Sequence, residues 1–375
     1  MGERGATAQE VAAAFETFAA AEGSRIPMYA RLCRAIATDP SLAGLLLAAP
    51  VGQRLPVLLL ASLHDLVLRR PEVPLGAWYP SVGGRPDHDG DLTAALEATI
   101  ASYREEVLDR LRHRQVQTNE VNRCVAWRAA LATVCAGDDR PLALVEVGAS
   151  AGLNLGVERY RVEFDGAALD GPVGPDAADV RLATTVRTGA WRELAAPLPP
   201  VLTRTGIDRR PLDPGDADDA RWLIACTWPE QQVRIDRLRA ALSVAVADPP
   251  ELVRGDLVDD LGALVDRSPD GTHTVVLSSW VLAYVDRDRR SRFAETLAAA
   301  ARRLAARGGR LTLLTLEADH LLPWLDPPPL PDDVPAEIRH ASLLAATAVD
   351  RDGSVSATPL ARCQAHLVWM DRLGV

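Results

Sequence analysis

Leu142-Ala143-Leu144-Val145-Glu146-Val147-Gly148-Ala149-Ser150-Ala151-Gly152 is the stretch on which the fold turns. An apolar run meets an acid, Glu146, and then small residues take over. Gly148, Ser150 and Gly152 fall at alternate positions, and Leu153-Asn154-Leu155 opens a helical pattern. The spacing predicts a buried strand that breaks into a tight turn and then a helix. Glycine suits such a turn because it accepts positive φ and lets a ligand approach the backbone closely. An acid just before the turn can accept hydrogen bonds from a ligand's hydroxyl or amino groups.

Three ligand chemistries use a strand–turn–helix of this kind. The dinucleotide fingerprint G-x-G-x-x-G fits poorly, because its third position holds Ser150 and its sixth Leu153. The serine-hydrolase elbow G-x-S-x-G fits Gly148-Ala149-Ser150-Ala151-Gly152 letter for letter. The segment Glu146–Gly152 also resembles the first motif of the class I S-adenosylmethionine (SAM) methyltransferases, with Ser150 in place of the middle glycine. The local sequence leaves the last two open.

Composition narrows the field. The chain has 375 residues, 48% of them hydrophobic and 25% charged, as in an ordinary globular protein able to bury a large core. The net charge of −10 argues against broad binding of nucleic acid, which needs a basic face. The residues from Met1 to Glu22 are alanine-rich and carry acids, unlike a secretory signal, and no apolar run is long enough to span a bilayer. The five cysteines are scattered without a C-x-x-C pair, so the expectation is free thiols in the cytoplasm and no metal site. All 41 basic residues are arginine, which removes phosphate-loop lysines, the protein-kinase lysine and lysine Schiff bases together.

Along the chain, helical periodicity covers much of residues 7–137, with helices near 25–38, 55–69, 91–112 and 119–136. From Leu142 short apolar runs alternate with helices. Strands are expected near 142–147, 201–208, 251–254, 274–280 and 309–316, with long helices near 216–246 and 287–306. This alternation predicts an α/β fold with a doubly wound, mostly parallel sheet. Residues 1–140 form an N-terminal helical lid or substrate region, and 141–375 the α/β domain. An insertion at about 160–200 is expected to carry small strands at 160–164 and 180–187. Residues 342–349 and 363–370 read as a final antiparallel pair.

The surroundings separate the two open readings. A hydrolase elbow needs strands before it and an acid and a histidine after it. Here helices precede it, and none of His273, His320, His340 and His366 sits in an obvious catalytic turn. The methyltransferase pattern needs acids at the ends of the next two strands. Gly206-Ile207-Asp208 offers one for the ribose hydroxyls and Gly255-Asp256 one for the adenine edge. Each charge-assisted bond to a ribose hydroxyl is worth roughly 1.5–3 kcal/mol. The fourth strand then runs into Ser278-Ser279-Trp280 and on to Tyr284.

These residues give the expected site. Glu146, Gly148, Ser150, Gly152, Asp208, Asp256 and Ser279 would bind SAM. Trp280 and Tyr284 are candidates to face the methyl group, as aromatic faces attract cations. Gln117, Asn119, Glu120 and Glu230 are candidates for substrate binding, although Thr118 or Asn119 also reads as a helix N-cap and Trp280 as core packing. The acids Asp213, Asp216, Asp218 and Asp219 read as a helix start. Asp248-Pro249-Pro250 and Asp326-Pro327-Pro328 mimic the Asp-Pro-Pro-Tyr of base-amino methyltransferases, but neither ends the fourth strand nor precedes an aromatic.

Arg114 to Cys124, Glu146 to Leu155, and Trp222 through Trp228-Pro229-Glu230 together resemble domain-of-unknown-function family 2332 of bacteria, over nearly the whole chain. The resemblance implies a methyltransferase-type fold with a helical N-terminal extension and brings no assigned reaction. The expectation is a cytoplasmic SAM-dependent methyltransferase for a small molecule. A non-catalytic binder of SAM or another nucleotide is the alternative, and a serine hydrolase using Ser150 the third reading.

Overall fold

All six residues of the strand β1, Leu142–Val147, are buried, as an apolar run in a doubly covered sheet requires. A computed structural model describes residues 7–165, 174–175, 179–322, 324–325, 330, 335–350 and 354–373. By contact density the chain divides into two units, one of Met1–Thr118 with Asp216–Arg239, the other of Asn119–Gly215 with Ala240–Val375.

The first unit is helical. Thr7 and Glu10 close a capping box on the helix Ala8–Glu22, and Pro27 and Pro56 occupy first turns, where a missing N–H is tolerated. Asp91 caps Leu92–His113 and Asp216 caps Ala217–Ala225, so the acid cluster there is indeed a helix start. The helix expected over 216–246 is two, Ala217–Ala225 and Gln232–Ala247, separated by a turn containing Pro229, which has no N–H to donate. Asp218 binds Arg110 at 2.6 Å and the indole N–H of Trp222 donates to the Gln115 carbonyl at 2.8 Å, which explains why this stretch belongs with the helices.

Among the described residues the second unit is built on one ten-stranded sheet. After β1 come β2 Arg161–Asp165, β3 Arg181–Thr188, β4 Val201–Asp208, β5 Glu251–Arg254, β6 His273–Ser279, β7 Arg310–Glu317, β8 Ser342–Val349, β9 Val355–Cys363 and β10 Trp369–Arg372. Their order across the sheet is β2-β3-β10-β9-β8-β7-β6-β1-β4-β5. The pairings of β7 with β8, β8 with β9 and β9 with β10 are antiparallel, and the others are parallel, so the sheet is mixed and mostly parallel. The five strands expected from 142 to 316 all form. The strands of the insertion form too, at the edge of the same sheet beside β10.

The C-terminal expectation needs correction. The partner of β8 is Val355–Cys363 rather than residues 363–370. Pro359 hid this strand, because proline cannot donate to a ladder. The structure accommodates it at a register shift, where Leu344 pairs with Ala361 and Ala345 with Pro359. Asp326-Pro327-Pro328 and most of the proline loop lie outside the described residues.

By contact density the first unit comprises Met1–Thr118 and Asp216–Arg239, and residues from Asn119 onward cluster with the sheet. The helix Cys124–Val134 buries every residue from Cys124 to Ala132, including Trp127 and Arg128. A helix buried on all sides belongs inside a domain, and this one packs with the sheet. On the other face, Val145, Val147, Val276, Leu311 and Leu313 pack with Leu261 and Leu264, and with Phe293, Leu297 and Leu304 of the helix Arg287–Ala306. No helix among the described residues is long and apolar enough to cross a membrane.

Candidate functional site

After β1 the chain first places the insertion strands β2 and β3 at the far edge of the sheet, and the remaining strands then fill β4 and β5 on one side of β1 and β6 and β7 on the other. The strand order therefore reverses between the adjacent strands β1 and β6. In open α/β sheets, ligands bind outside the carboxyl ends of strands at such a switch point.

The bend after β1 is tightly specified. Gly148 and Gly152 both have φ of 68°, and Ser150 has φ of 54°. The N–H groups of Gly148 and Ala149 donate to the Ile207 carbonyl at 2.8 and 3.1 Å, and Ser150 N–H donates to Asp208 Oδ2 at 2.9 Å. A Cβ at Gly148 would stand 2.6 Å from Val281 Cγ2, so both conformation and space demand glycine there. Ser150 enjoys no such freedom, and a non-glycine residue held in this region stores about 1–3 kcal/mol.

Glu146 is 2% exposed and lies on the sheet face opposite Val145 and Val147. Its Oε1 accepts from Asn154 Nδ2 at 3.0 Å, and its Oε2 has no partner among the described residues. Burial pushes its carboxyl up to about 8. The charge of Asp208 adds to the shift, while Asn154 and Arg123 oppose it.

Asp208 and Asp256 follow at the ends of β4 and β5. The N–H of Gly255 donates to the Asp208 carbonyl at 2.9 Å, which ties those two ends together. Asp208 spends both oxygens on backbone, Oδ2 on Ser150 and Oδ1 on Arg210 N–H at 2.8 Å. Asp256 caps the next turn through Val258 N–H at 2.9 Å and pairs with Arg209 at 2.8 Å and with Arg289. Burial works against its charge, but the Arg209 bond, the N–H groups of Val258 and Asp259 and the charge of Arg289 together outweigh burial and hold its carboxyl below the usual range.

At the end of β6, Ser279 Oγ accepts from Arg123 Nη1 at 3.2 Å. Trp280 has φ of 54°, and its indole Nε1 is buried with no partner among the described residues. Tyr284 is 83% exposed, on the short 3-10 turn Leu282–Tyr284. Glu317 Oε1 accepts from Ser278 Oγ at 3.0 Å, Val281 N–H at 3.0 Å and Leu282 N–H at 3.2 Å, and so fixes this loop from β7.

Residues 119–123 run along the same edge. Asn119 Nδ2 donates to the Ala149 carbonyl at 3.0 Å, and its Oδ1 is buried without a partner among the described residues. The N-cap is Glu120, not Thr118 or Asn119. Its carboxylate accepts Asn122 N–H at 3.1 Å, because the helix is preceded by a 3-10 turn, Val121–Arg123, that moves the cap along by one. Glu120 Oε2 also receives His366 Nδ1 at 3.1 Å.

The structure thus gathers Glu146, Gly148, Ser150, Gly152, Asp208, Asp256, Ser279, Trp280, Asn119 and Glu120 on one sheet edge. Gln117 and Glu230 belong to the first unit. Both carboxylate oxygens of Glu230 cap the helix Pro27–Thr38, accepting Met28 N–H at 2.9 Å and Tyr29 N–H at 3.2 Å. Sequence reasoning passed over Arg123, Asn154 and Glu317 as site residues. Arg123 stood inside the quoted Arg114–Cys124 run, and Glu317 ends a strand just as Glu146 nearly does. Asn154 gave no signal, because its partner is eight residues away across the bend.

Asn119 Oδ1 is an acceptor and Trp280 Nε1 a donor, and Glu146 Oε2, on a carboxyl raised to about 8, donates while protonated and accepts once ionised. Buried polar atoms are rarely left without partners, so such a group marks a place where a ligand or water completes the bonding. The group suits a molecule carrying both donor and acceptor atoms. Among the described residues, no three His, Cys, Asp or Glu side chains converge as a metal site. No curated protein matches the chain. Residues 12–372 match the family described as an uncharacterized protein conserved in bacteria (DUF2332), and the chain belongs to that family.

Proposed function

We propose that the chain is a SAM-dependent methyltransferase that acts on a small molecule, with the cofactor at the switch point between β1 and β6. The observation that carries this reading is the row of carboxylates at the ends of three adjacent strands, Glu146, Asp208 and Asp256, beside a glycine-rich bend and buried polar atoms in want of partners. Asn119 would receive an amino or hydroxyl hydrogen, Glu146 would donate to a ligand acceptor while protonated or receive a hydrogen once ionised, Asp208 has lone pairs left for ribose hydroxyls, and Asp256 would lie at the adenine end. Bound SAM would supply a methyl group on an electrophilic sulfonium. The protein's part is alignment in a site shielded from water, where orientation is worth roughly 7–11 kcal/mol.

Two features favour the alternative of a binder without turnover. Ser150 puts a side chain where the motif has glycine, and Asp208 already holds two backbone N–H groups. The hydrolase reading is weaker. β1 is the first strand among the described residues, so no earlier strand carries an oxyanion loop. Isothermal titration with SAM and with S-adenosylhomocysteine tests the proposal. Heat of binding for both supports it, and silence from folded protein overturns it. Transfer of a labelled methyl group into a metabolite extract separates the enzyme from the binder. Labelling of Ser150 by a fluorophosphonate would favour the hydrolase.

A further inference from the structure

We propose that His366 and Glu120 form a general-base dyad at this edge, and that the methyl acceptor is a hydroxyl group. The inference rests on the methyl-transfer reading and adds to it the class of acceptor.

Three non-glycine residues with positive φ occur among the described residues: Ser150 at 54°, Trp280 at 54° and Leu367 at 56°. Each lies in the turn after a strand, β1, β6 and β9 respectively. β8 is antiparallel to β7 and β9 is antiparallel to β8, so β9 points the same way as β7, β6 and β1. All three strained turns therefore stand on one edge of the sheet. Strain of this kind persists where the surroundings over-determine it, and it clusters at functional sites. Leu367 directly follows His366.

One short segment fastens the three turns. Asn119 holds Ala149, Arg123 holds Ser279, and Asn122 Nδ2 donates to the carbonyls of His366 at 3.0 Å and Leu367 at 3.2 Å. Four residue steps separate Asn119 from Arg123, so their Cα atoms lie at most about 14 Å apart.

The dyad itself is oriented on several sides. His366 Nδ1 is 3.1 Å from Glu120 Oε2, and Glu120 is 3% exposed. His366 N–H donates to Gln364 Oε1 at 2.6 Å. A carboxylate only accepts, so Nδ1 carries a proton, and in the neutral ring Nε2 presents the lone pair. Nε2 has no hydrogen-bond partner among the described residues, and the side chain keeps 26% of its surface exposed. This is the arrangement of an imidazole base held by an acid.

A hydroxyl acceptor is what needs such a base. A neutral amine attacks unaided and sheds its proton afterwards, and a carboxylate has none to lose. The hydroxyl oxygen attacks the methyl carbon as its proton passes to His366 Nε2. The new O–C bond forms, the C–S bond breaks with its electron pair going to sulfur, and the imidazolium beside Glu120 returns its proton to water. The products are a methyl ether and a neutral thioether.

The test uses the full chain, labelled SAM with a polar metabolite extract, S-adenosylhomocysteine titration, and ¹⁵N NMR of the imidazole. Expected are a methyl ether product, a fall of about 10²–10⁴-fold in transfer for His366→Gln with affinity for S-adenosylhomocysteine kept within about threefold, and partial rescue of His366→Ala by free imidazole. NMR should show Nδ1 protonated in neutral His366, and this preference should weaken in Glu120→Gln. Unimpaired transfer in His366→Gln, label only in non-ether products, the opposite tautomer, or binding without any transfer would overturn the dyad. Folded wild type that binds neither SAM nor S-adenosylhomocysteine overturns the methyl-transfer reading itself, an outcome distinct from bound cofactor with a dispensable His366.

Discussion

The carboxylate of Asp208, at the end of β4, accepts the backbone N–H of Ser150 at 2.9 Å, and so one acid clamps the strained bend of the neighbouring strand. Asp208→Ala should remove the acceptor for that N–H and for Arg210 N–H. Charge-assisted hydrogen bonds contribute about 1.5–3 kcal/mol each, so a loss of about 3–6 kcal/mol in urea unfolding is expected for the two, together with weakened binding of S-adenosylhomocysteine. Unchanged stability and affinity would show that the clamp is idle.

Gly148→Ala meets two obstacles, a φ of 68° and a Cβ 2.6 Å from Val281 Cγ2. The backbone conformation alone should cost about 1–3 kcal/mol. Adding Val281→Ala should recover the steric part and leave the conformational part. A double mutant as stable as wild type would contradict this division.

The Glu146 carboxyl sits near 8 in the folded protein, raised by burial from an ordinary value near 4.5. Between those limits the folded state holds a proton that the unfolded state has released. This residue's contribution is therefore full below about pH 4.5 and declines as pH rises through 8, at up to about 1.4 kcal/mol per pH unit. Subtracting the stability of Glu146→Gln from that of wild type across pH 5–9 should show a decline. A flat difference would mean that Glu146 is ionised when folded.

His64 and His273 set the opposite slope. Burial lowers each to about 4 from 6.5. His64 is held by the Ala225 carbonyl at 3.1 Å and Ser81 Oγ at 2.8 Å, and His273 Nε2 lies 2.8 Å from Thr312 Oγ1. Between pH 6.5 and 4 the unfolded state binds the extra protons, so stability from these two groups is lost as pH falls through that window. Urea midpoints of His64→Gln and His273→Gln should depend less on pH there than those of wild type.

Asp65 is fully buried and accepts from three guanidinium groups, Arg69 at 3.1 Å, Arg110 at 2.9 Å and Arg221 at 2.9 Å. Removing the acid takes a buried partner from all three cations and leaves them, among the described residues, only Glu106 or Asp218, so Asp65→Ala should destabilise the first unit by about 3–5 kcal/mol. A shift in thermal midpoint no larger than that of a surface substitution would refute the expectation.

What the sequence determined by itself was local. Six-residue apolar runs, glycine spacing and the acids that follow were enough to locate β1, β4, β5, β6 and β7 and the bend after Gly148, because buried strands and positive-φ turns restrict residue type at each position. Pro359 concealed β9, since a bulge that tolerates proline exists only once β8 lies alongside. The home of residues 119–136 and 216–239 was equally out of reach. It depends on which apolar faces meet, and a helix such as Cys124–Val134 gives no direction to its partner. Tertiary structure alone brought Glu120 to His366, 246 residues apart, and set Arg123 against Ser279. Contacts of that length arise from the order of strands across the sheet, which hydrophobic periodicity along the chain does not encode.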